Sequence, residues 1–578
     1  MDEKLFVRQA YQKIKPTGIA AFVVFIITFG VYFTTLAPTY TWAHFGFDAG
    51  DLLTAIQYWG VPHPPGFPIY IMIGKLFSLL PIGNLAFRLN LMSAVFGSLT
   101  CVIVYFTLTK LTKSITISAI SAFVLAFSYT FWSQSLITEV YTLNSFFTAL
   151  LLFLGLLTIQ SLPEMNRPKT DRLIFMTVFI YGLSLTNHLT TIFFGSSLLL
   201  ILFWRLYKNV SVRQSIGYLV TVICIFLIGL LPYLYIYLRA QSGTIFNWGD
   251  PSTPARFINY ISGREFQHFI QASGSAIDLT SRFFVLLNRN ITLIGIIAAT
   301  VGAVLLFQER KKFLIYSFIP TVLLIIFNIN YKIDNIETFY LPVYVGFIIW
   351  MGYGLHTIAI GLRAYIAEDT LFRSTLPLFV FSRVPISRNA FTQITVTLSS
   401  IFIAGITLLA LCIPTYLLVR NYSEVSLHSD YSAENFAYST FRAMDQVAPS
   451  SQKKVLIPEE AETTFALRYY RFIDFKNRDD VIFFMTNGVY DSDDNLAFFR
   501  EKYPELHFPD YPTGISVKSN SQGLMMSIQA NWDKYNYFYA KGLPFPRWGL
   551  EQQIELEDGV IFSSVGPIYR IHPKGPFD

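Results

Sequence analysis

Charge and cysteine are what this 578-residue chain has least of. Only 14% of its residues are charged and three are cysteine, against 53% hydrophobic and 55 Phe. Cys101, Cys224 and Cys412 all fall inside apolar runs, so neither a disulfide framework nor a Cys-ligated zinc site is within reach. So little charge, with a mean hydropathy of +0.46, excludes an ordinary soluble globular protein. The patterns G-x-x-x-x-G-K-[ST], H-E-x-x-H and G-x-S-x-G are also missing, which removes a P-loop, a zincin helix and a hydrolase elbow.

The charges that are present divide unevenly. Residues 1–420 hold 28 Lys+Arg against 15 Asp+Glu, and residues 421–578 hold 15 against 22. The first part reads as a membrane domain and the second as a small soluble domain. Their net charges of +13 and −7 give the overall +6, so the basic balance belongs to membrane flanks and nucleic acid drops out as a partner.

A hydrocarbon core about 30 Å thick takes roughly 20 apolar helical residues. About eleven runs qualify: 18–37, 89–109, 114–132, 138–160, 173–186, 188–206, 215–238, 284–307, 312–328, 338–360 and 393–418. The region 173–206 is read as two spans broken at Asn187–His188. Lys4, Arg8, Lys13 and Lys15 precede the first run, which lacks a small-residue cleavage site and reads as a retained anchor with a cytoplasmic amino terminus. Alternating from there puts about nineteen of the 28 basic residues on the cytoplasmic face, as the positive-inside rule demands. The expectation is a multi-pass cell-membrane protein whose C-terminal domain lies outside, together with loops 38–88, 239–283 and 329–337.

Eight acids go with that outer face: Asp48, Asp51, Glu139, Asp250, Glu265, Asp278, Asp334 and Glu337. Asp48 and Asp51, three residues apart, share one face if a short interfacial helix opens at Asp51. Two such carboxylates suit general-base or metal work; the bland alternative is that Asp48 caps the helix. His63 lies in Gly60-Val61-Pro62-His63-Pro64-Pro65-Gly66-Phe67-Pro68, a stretch that regular helix cannot accommodate, and is either a site residue or a hydrogen-bonded turn residue. Glu139 opens a span and His188 sits at a helix junction. Ionisable groups at bilayer depth mark interior-facing sites, with a helix N-terminal acid and a satisfied interior histidine as the competing readings. Arg239 and Arg264, near Asn247-Trp248-Gly249-Asp250, could grip a phosphate, although snorkelling alone accounts for an arginine at the position of Arg239.

Asp48-Ala49-Gly50-Asp51, the Pro-rich stretch 60–68 and Phe87-Arg88-Leu89-Asn90 together resemble the signature of membrane glycosyltransferases related to protein O-mannosyltransferases, long catalogued only as a domain of unknown function. Glu139-Val140-Tyr141, Gly182 to His188, Asn247 to Pro251 and the Asp334 segment follow in that family's order, over residues 18–360. The family writes Glu at the fourth position of the first motif, where this chain has Asp51. The resemblance implies a GT-C-like fold, which with the eleven runs counted above makes an all-α polytopic membrane protein, and the tail resembles the small extracytoplasmic α/β region that follows the membrane domain in that family. It further implies transfer of a sugar, mannose first, from a polyprenyl-phosphate donor in the membrane lipid to an acceptor hydroxyl, protein Ser/Thr first. Asp48 is then the candidate base with Asp51 beside it. His63, Arg88, Glu139, His188, Arg239, Asn247, Asp250, Arg264, Asp334 and Glu337 are candidates for substrate binding. No cofactor is certain; a divalent metal ion is the alternative to arginine as the charge on the leaving phosphate.

In the tail, Lys454 to Pro458, Thr464 to Tyr470 and Asp480 to Phe484 read strand, helix, strand, the order of a βαβ unit. No Gly-rich phosphate loop follows the first strand. The rival reading is a polytopic secondary transporter or a flippase for lipid-linked substrates, since polar groups inside spans also line substrate paths. Transporters commonly repeat their halves, and this chain shows no such repeat. A non-catalytic scaffold is a third reading, and it leaves the clustered acids without purpose.

Overall fold

The computed structural model describes residues 16–163, 167–207, 212–244, 246–271, 276–368, 388–448, 452–458, 461–475, 478–483, 489, 493–513, 517–540 and 560–573. Contacts divide the chain into two compact units. The first comprises Met1–Leu36, His63–Phe77 and Leu89–His428; the second comprises Ala37–Pro62, Ser78–Arg88 and Ser429–Asp578. This division differs from a single cut at 420, because the helix Arg388–Val425 runs past that point and the first loop groups with the tail.

Among the described residues, seven helices are long and apolar enough to cross a membrane. They are Pro16–Thr35, Leu85–Thr112, Tyr141–Ser161, Leu189–Leu206, Thr280–Glu309, Lys311–Asn330 and Leu341–Gly361. An eighth forms if Arg213–Gly229 and Tyr233–Gln241, bent by 48°, count as one. Pro232 stands at that bend, where it withholds an N–H from the helix ladder. The run 114–132 is not one span: its helix, Ile115–Ala126, is about 18 Å long at 1.5 Å per residue. Ser128 adopts extended backbone angles and starts a second short helix, Tyr129–Gln134. The break expected at Asn187–His188 is present, between Arg167–Leu185 and the 3-10 helix Leu189–Phe194. The run 393–418 falls in Arg388–Val425, and the side chains of its first half lie outside the described residues.

Glycines set how closely these helices approach. A Cβ at Gly302 would overlap the carbonyl of Trp350, and one at Gly354 would overlap that of Ala298. Gly182 and Gly229 do the same for a second pair, each with a carbonyl 2.6 Å from where its Cβ would stand. In lipid, where burying apolar surface between helices gains little, such close backbone packing is the main source of association.

The second unit holds a five-stranded sheet of order β2-β1-β3-β5-β4, with β1 Lys454–Pro458, β2 Val481–Phe483, β3 Asn536–Ala540, β4 Val560–Val565 and β5 Ile568–Pro573. β1 and β2 are parallel, with Val455 opposite Ile482, and the helix Ala461–Tyr469 lies between them in sequence. β3 is parallel to β1, while β5 pairs antiparallel with β3 and β4. Val455, Ile457, Leu524, Ile528, Tyr537 and Ile571 fill the core beside this sheet.

Lys454 begins β1 fully buried, with Nζ 2.8 Å from Asp480 and 3.5 Å from Asp445. Arg478 bonds both carboxylates. Burial pushes the Asp480 carboxyl up, but Arg478 and Lys454 outweigh it and hold it below the ordinary range. Its contribution to stability is therefore complete above the unfolded value near 3.9 and lost as pH falls through the lower folded value. Asp480→Asn should cost about 3 kcal/mol, the low end for breaking a buried pair, because Asp445 stays near Lys454. It should also flatten the fall of the thermal midpoint below about pH 4. Thermal unfolding of the purified variant across pH checks both, and a midpoint unmoved by the substitution contradicts this account of the network.

Candidate active site

The two acids of the first motif lie in the second unit, at the start of the helix Ala49–Tyr58. Asp48 occupies the N-cap position but its side chain makes no capping hydrogen bond. Its backbone carbonyl serves the helix, accepting from Leu52 N at 3.0 Å. Asp51 is 1% exposed, whereas Asp48 is half-buried. The spacing expected to put both on one face thus delivers two different environments.

What Asp51 meets is an arginine from the tail: Arg468 Nη1 stands 3.7 Å from Asp51 Oδ1. Burial lowers the Arg468 value and the Asp51 charge raises it, which leaves a guanidinium that stays charged at any working pH. The helices carrying the pair touch through Gly50, where an added Cβ would run into the carbonyl of Phe465. Around this contact, Tyr58 donates to Phe472 O at 2.7 Å, Tyr40 stacks on Tyr469 at 5.7 Å, and Thr39 and Tyr470 share a 3.2 Å hydrogen bond. Thr41 donates to Asp430. Arg88 sits in the same unit, its guanidinium donating to the carbonyls of Ser78, Leu80 and Asn84; it holds the turn before its own helix.

The other candidates belong to the first unit, where three motif segments converge. Asn187 donates to Val140 O at 3.2 Å, and Asn335 donates to the Tyr141 hydroxyl at 3.3 Å. His188, 7% exposed, shares a 2.8 Å hydrogen bond between Nδ1 and the Thr190 hydroxyl. Its ring packs against Tyr141 at 5.7 Å and Phe339 at 5.0 Å. Glu139 is buried beside this group, so the Glu139, His188 and Asp334 segments form one neighbourhood. His63 stands edge-on to Phe67, Trp248 and Phe266, which joins the Pro-rich stretch to the loop after Arg239.

In that loop Asp250, with φ of +40°, accepts from Asn247 at 2.8 Å and pairs with Arg256 at 2.8 Å. Asn247 and Asp250 therefore shape the turn. Arg264 is exposed and donates to Asn259 at 3.1 Å; Arg239 is half-buried in the last turn of Tyr233–Gln241. Asp334 borders a cavity of about 280 Å³ with Arg282, Tyr331, Lys332 and Tyr340. Burial lifts the Glu337 carboxyl above its ordinary value, against the pull of Arg289 and Arg282.

Two residues of this picture escaped the sequence reading. Arg468 is a lone arginine in a tail helix and carries no local signal. Arg289 did carry one, as a charge within the apolar run 284–307; its guanidinium lies 3.4 Å over the Tyr129 ring and 3.4 Å from Glu424. Among the described residues no three His, Cys, Asp or Glu side chains stand together.

A family model of the protein O-mannosyl-transferase TMEM260 N-terminal domain matches residues 48–211. The chain is 30% identical over 227 residues to the protein O-mannosyl-transferase TMEM260 of Mus musculus, covering 39% of this chain and 31% of that protein. It is 26% identical over 312 residues to the tmem260 protein of Dictyostelium discoideum, covering 51% and 37%. It thus spans about a third of the length of these curated relatives. Among solved structures, ArnT from Cupriavidus metallidurans bound to undecaprenyl phosphate superposes with a TM-score of 0.59 over 97% of this chain and 99% of that one, at 13% identity. The apo form of the same protein matches with a TM-score of 0.59 at 12% identity. At such identity the likeness is one of fold, a GT-C-like bundle of apolar helices. Asp48, Asp51, His63, Arg88, Glu139 and His188 all lie within the matched segment, and through it this chain is related to the O-mannosyltransferase-like family that its motifs resemble.

Proposed function

We propose that the chain is an inverting membrane glycosyltransferase that moves a sugar, mannose first, from a polyprenyl-phosphate donor to an acceptor hydroxyl, protein Ser/Thr first, on the extracytoplasmic face. The observation that carries this reading is the unequal environment of the first motif's two carboxylates. Asp51 is buried on Arg468, and Asp48 is half-buried with a side chain not spent on capping. Pairs of carboxylates in unlike surroundings are how one site separates a proton acceptor from a supporting charge.

In the proposed reaction, Asp48 takes the proton of the acceptor hydroxyl while the oxygen of that hydroxyl forms a bond to the anomeric carbon. The bond from that carbon to the phosphate oxygen breaks on the opposite face, and the polyprenyl phosphate leaves with the electron pair. Charge on the leaving phosphate calls for positive partners, and Arg239 and Arg264 are the candidates. The undecaprenyl phosphate named for the ArnT structure supports a lipid-phosphate donor in this fold, and the relatives' name supports mannose and a protein acceptor.

Asp48→Asn should lower turnover by about 10²–10⁴, the usual contribution of a general base. Its thermal midpoint, measured alongside, separates loss of a base from loss of folding. The assay is lipid phosphate released from several polyprenyl-phosphate sugars by protein in nanodiscs. Full activity in folded Asp48→Asn eliminates the base. The double variant Arg239→Gln with Arg264→Gln should weaken donor binding, and unchanged donor affinity and turnover would remove both arginines from the site. Finally, Ser439→Cys, placed on an exposed helix position with Cys224 and Cys412 replaced by Ser, should react with an impermeant thiol reagent in intact cells. Labelling that appears only after lysis would overturn the outside location of the tail.

A further inference from the structure

The geometry points to Arg468 as a positioning residue: through Asp51 and the Gly50 contact, the tail helix Ala461–Tyr469 holds the helix start that carries Asp48. This inference rests on the glycosyltransferase reading above, and it gives the C-terminal domain a part in the chemistry.

The contacts are of four independent kinds and fall along the whole first loop. Arg468 is 18% exposed and pairs with Asp51, which is 2% exposed at its side chain. A charge so deeply withdrawn from water keeps its place only while its partner is there. At Gly50 the two helices meet so closely that their separation leaves no room for even a methyl group. Tyr58, at the far end of the same helix, is tied by its hydroxyl to Phe472 O. Before the helix, Thr39, Tyr40 and Thr41 bond or stack on Tyr470, Tyr469 and Asp430. Both ends and the middle of the Asp48-bearing segment are therefore fixed to residues 430–472, more than 370 positions away in sequence. Asp48 follows, since its carbonyl is the first acceptor of that helix. In this arrangement Asp51 does not take the proton. It converts the position of Arg468 into the position of Asp48.

Displacing a reacting group by about 1 Å costs on the order of 10²-fold in rate. Arg468→Gln and Asp51→Asn should each lower kcat by about that factor, with donor KM little changed. The double variant should be no worse than either alone, because both remove one interaction. Arg468→Lys, which keeps the charge, should restore part of the loss. The acid limb of the kcat/KM profile, set by Asp48, should persist in all of them and vanish only in Asp48→Asn.

Hydrogen exchange gives a readout that needs no turnover: amides 46–58 should exchange faster in Arg468→Gln than in the parent protein. If Arg468→Gln fails to fold, Tyr58→Phe loosens the same segment by a single hydrogen bond and should raise exchange there while lowering kcat several-fold. Parental kcat in folded Arg468→Gln, additive losses in the double variant, or unchanged exchange over 46–58 would each overturn the proposal. Absence of transfer from any polyprenyl-phosphate sugar by the parent protein would instead sink the glycosyltransferase reading, leaving the exchange measurement to decide whether the tail holds the loop.

Discussion

Gly50 has no room for a side chain, because the carbonyl of Phe465 occupies the space a Cβ would need. From that one steric fact the second unit follows. Once the helix Ala49–Tyr58 lies backbone-close to Ala461–Tyr469, Asp51 on its first turn is carried under the tail and out of water. A buried carboxylate then requires a cation, and Arg468, three residues beyond Phe465, comes from the facing helix to supply it. The tyrosines around the contact seal it at both ends.

Buried ion pairs are a poor way to gain stability, since desolvation offsets most of the attraction and apolar replacements often do as well. Among the described residues of the second unit such pairs nevertheless occur, Asp51 with Arg468 and Lys454 and Arg478 with Asp480. They differ in setting. Lys454 closes the end of β1, where a helix carboxylate and a loop carboxylate share Arg478, a network that fixes the approach of β2. Asp51 and Arg468 instead join segments more than 400 residues apart. A pair that adds little to stability but fixes a register has its best-attested use in specifying geometry, and here the geometry specified is that of the neighbouring Asp48.

How much of this could be read from sequence depends on whether a feature is local. The polar break at Asn187–His188 between two apolar runs was legible, and so was the strand–helix–strand order of 454–484, because each is written in consecutive residues. The run 114–132 misled for a physical reason. Its composition stays apolar through Phe127 and Ser128, yet the Ser128 hydroxyl turns back to Leu125 O and its backbone goes extended, which ends the helix. Gly50 was visible as a motif letter, but its cause is a carbonyl in another part of the chain. Arg468 was invisible, since burial of one arginine among a tail's many charges is decided by packing alone. Asp250, a motif residue, also bonds Asn247 and Arg256 within its own turn.

The distribution of polar groups within the apolar helices bears on the choice between transferring a sugar and conducting a substrate. Buried hydroxyls are frequent there, at Ser98, Thr100, Thr107, Ser121 and Thr158 among others. Each of these five donates to the carbonyl four residues back on its own helix. A hydroxyl satisfied this way presents no spare donor to a passing solute and needs none. Ionisable side chains with interior partners gather instead near helix ends and connecting segments: Asp51 with Arg468, Glu337 near Arg289, and the histidines with their aromatic neighbours. A conducting path asks for polar groups that continue through the bilayer and stay available to the solute. The five hydroxyls above, each bonded within its own helix, are not groups of that kind.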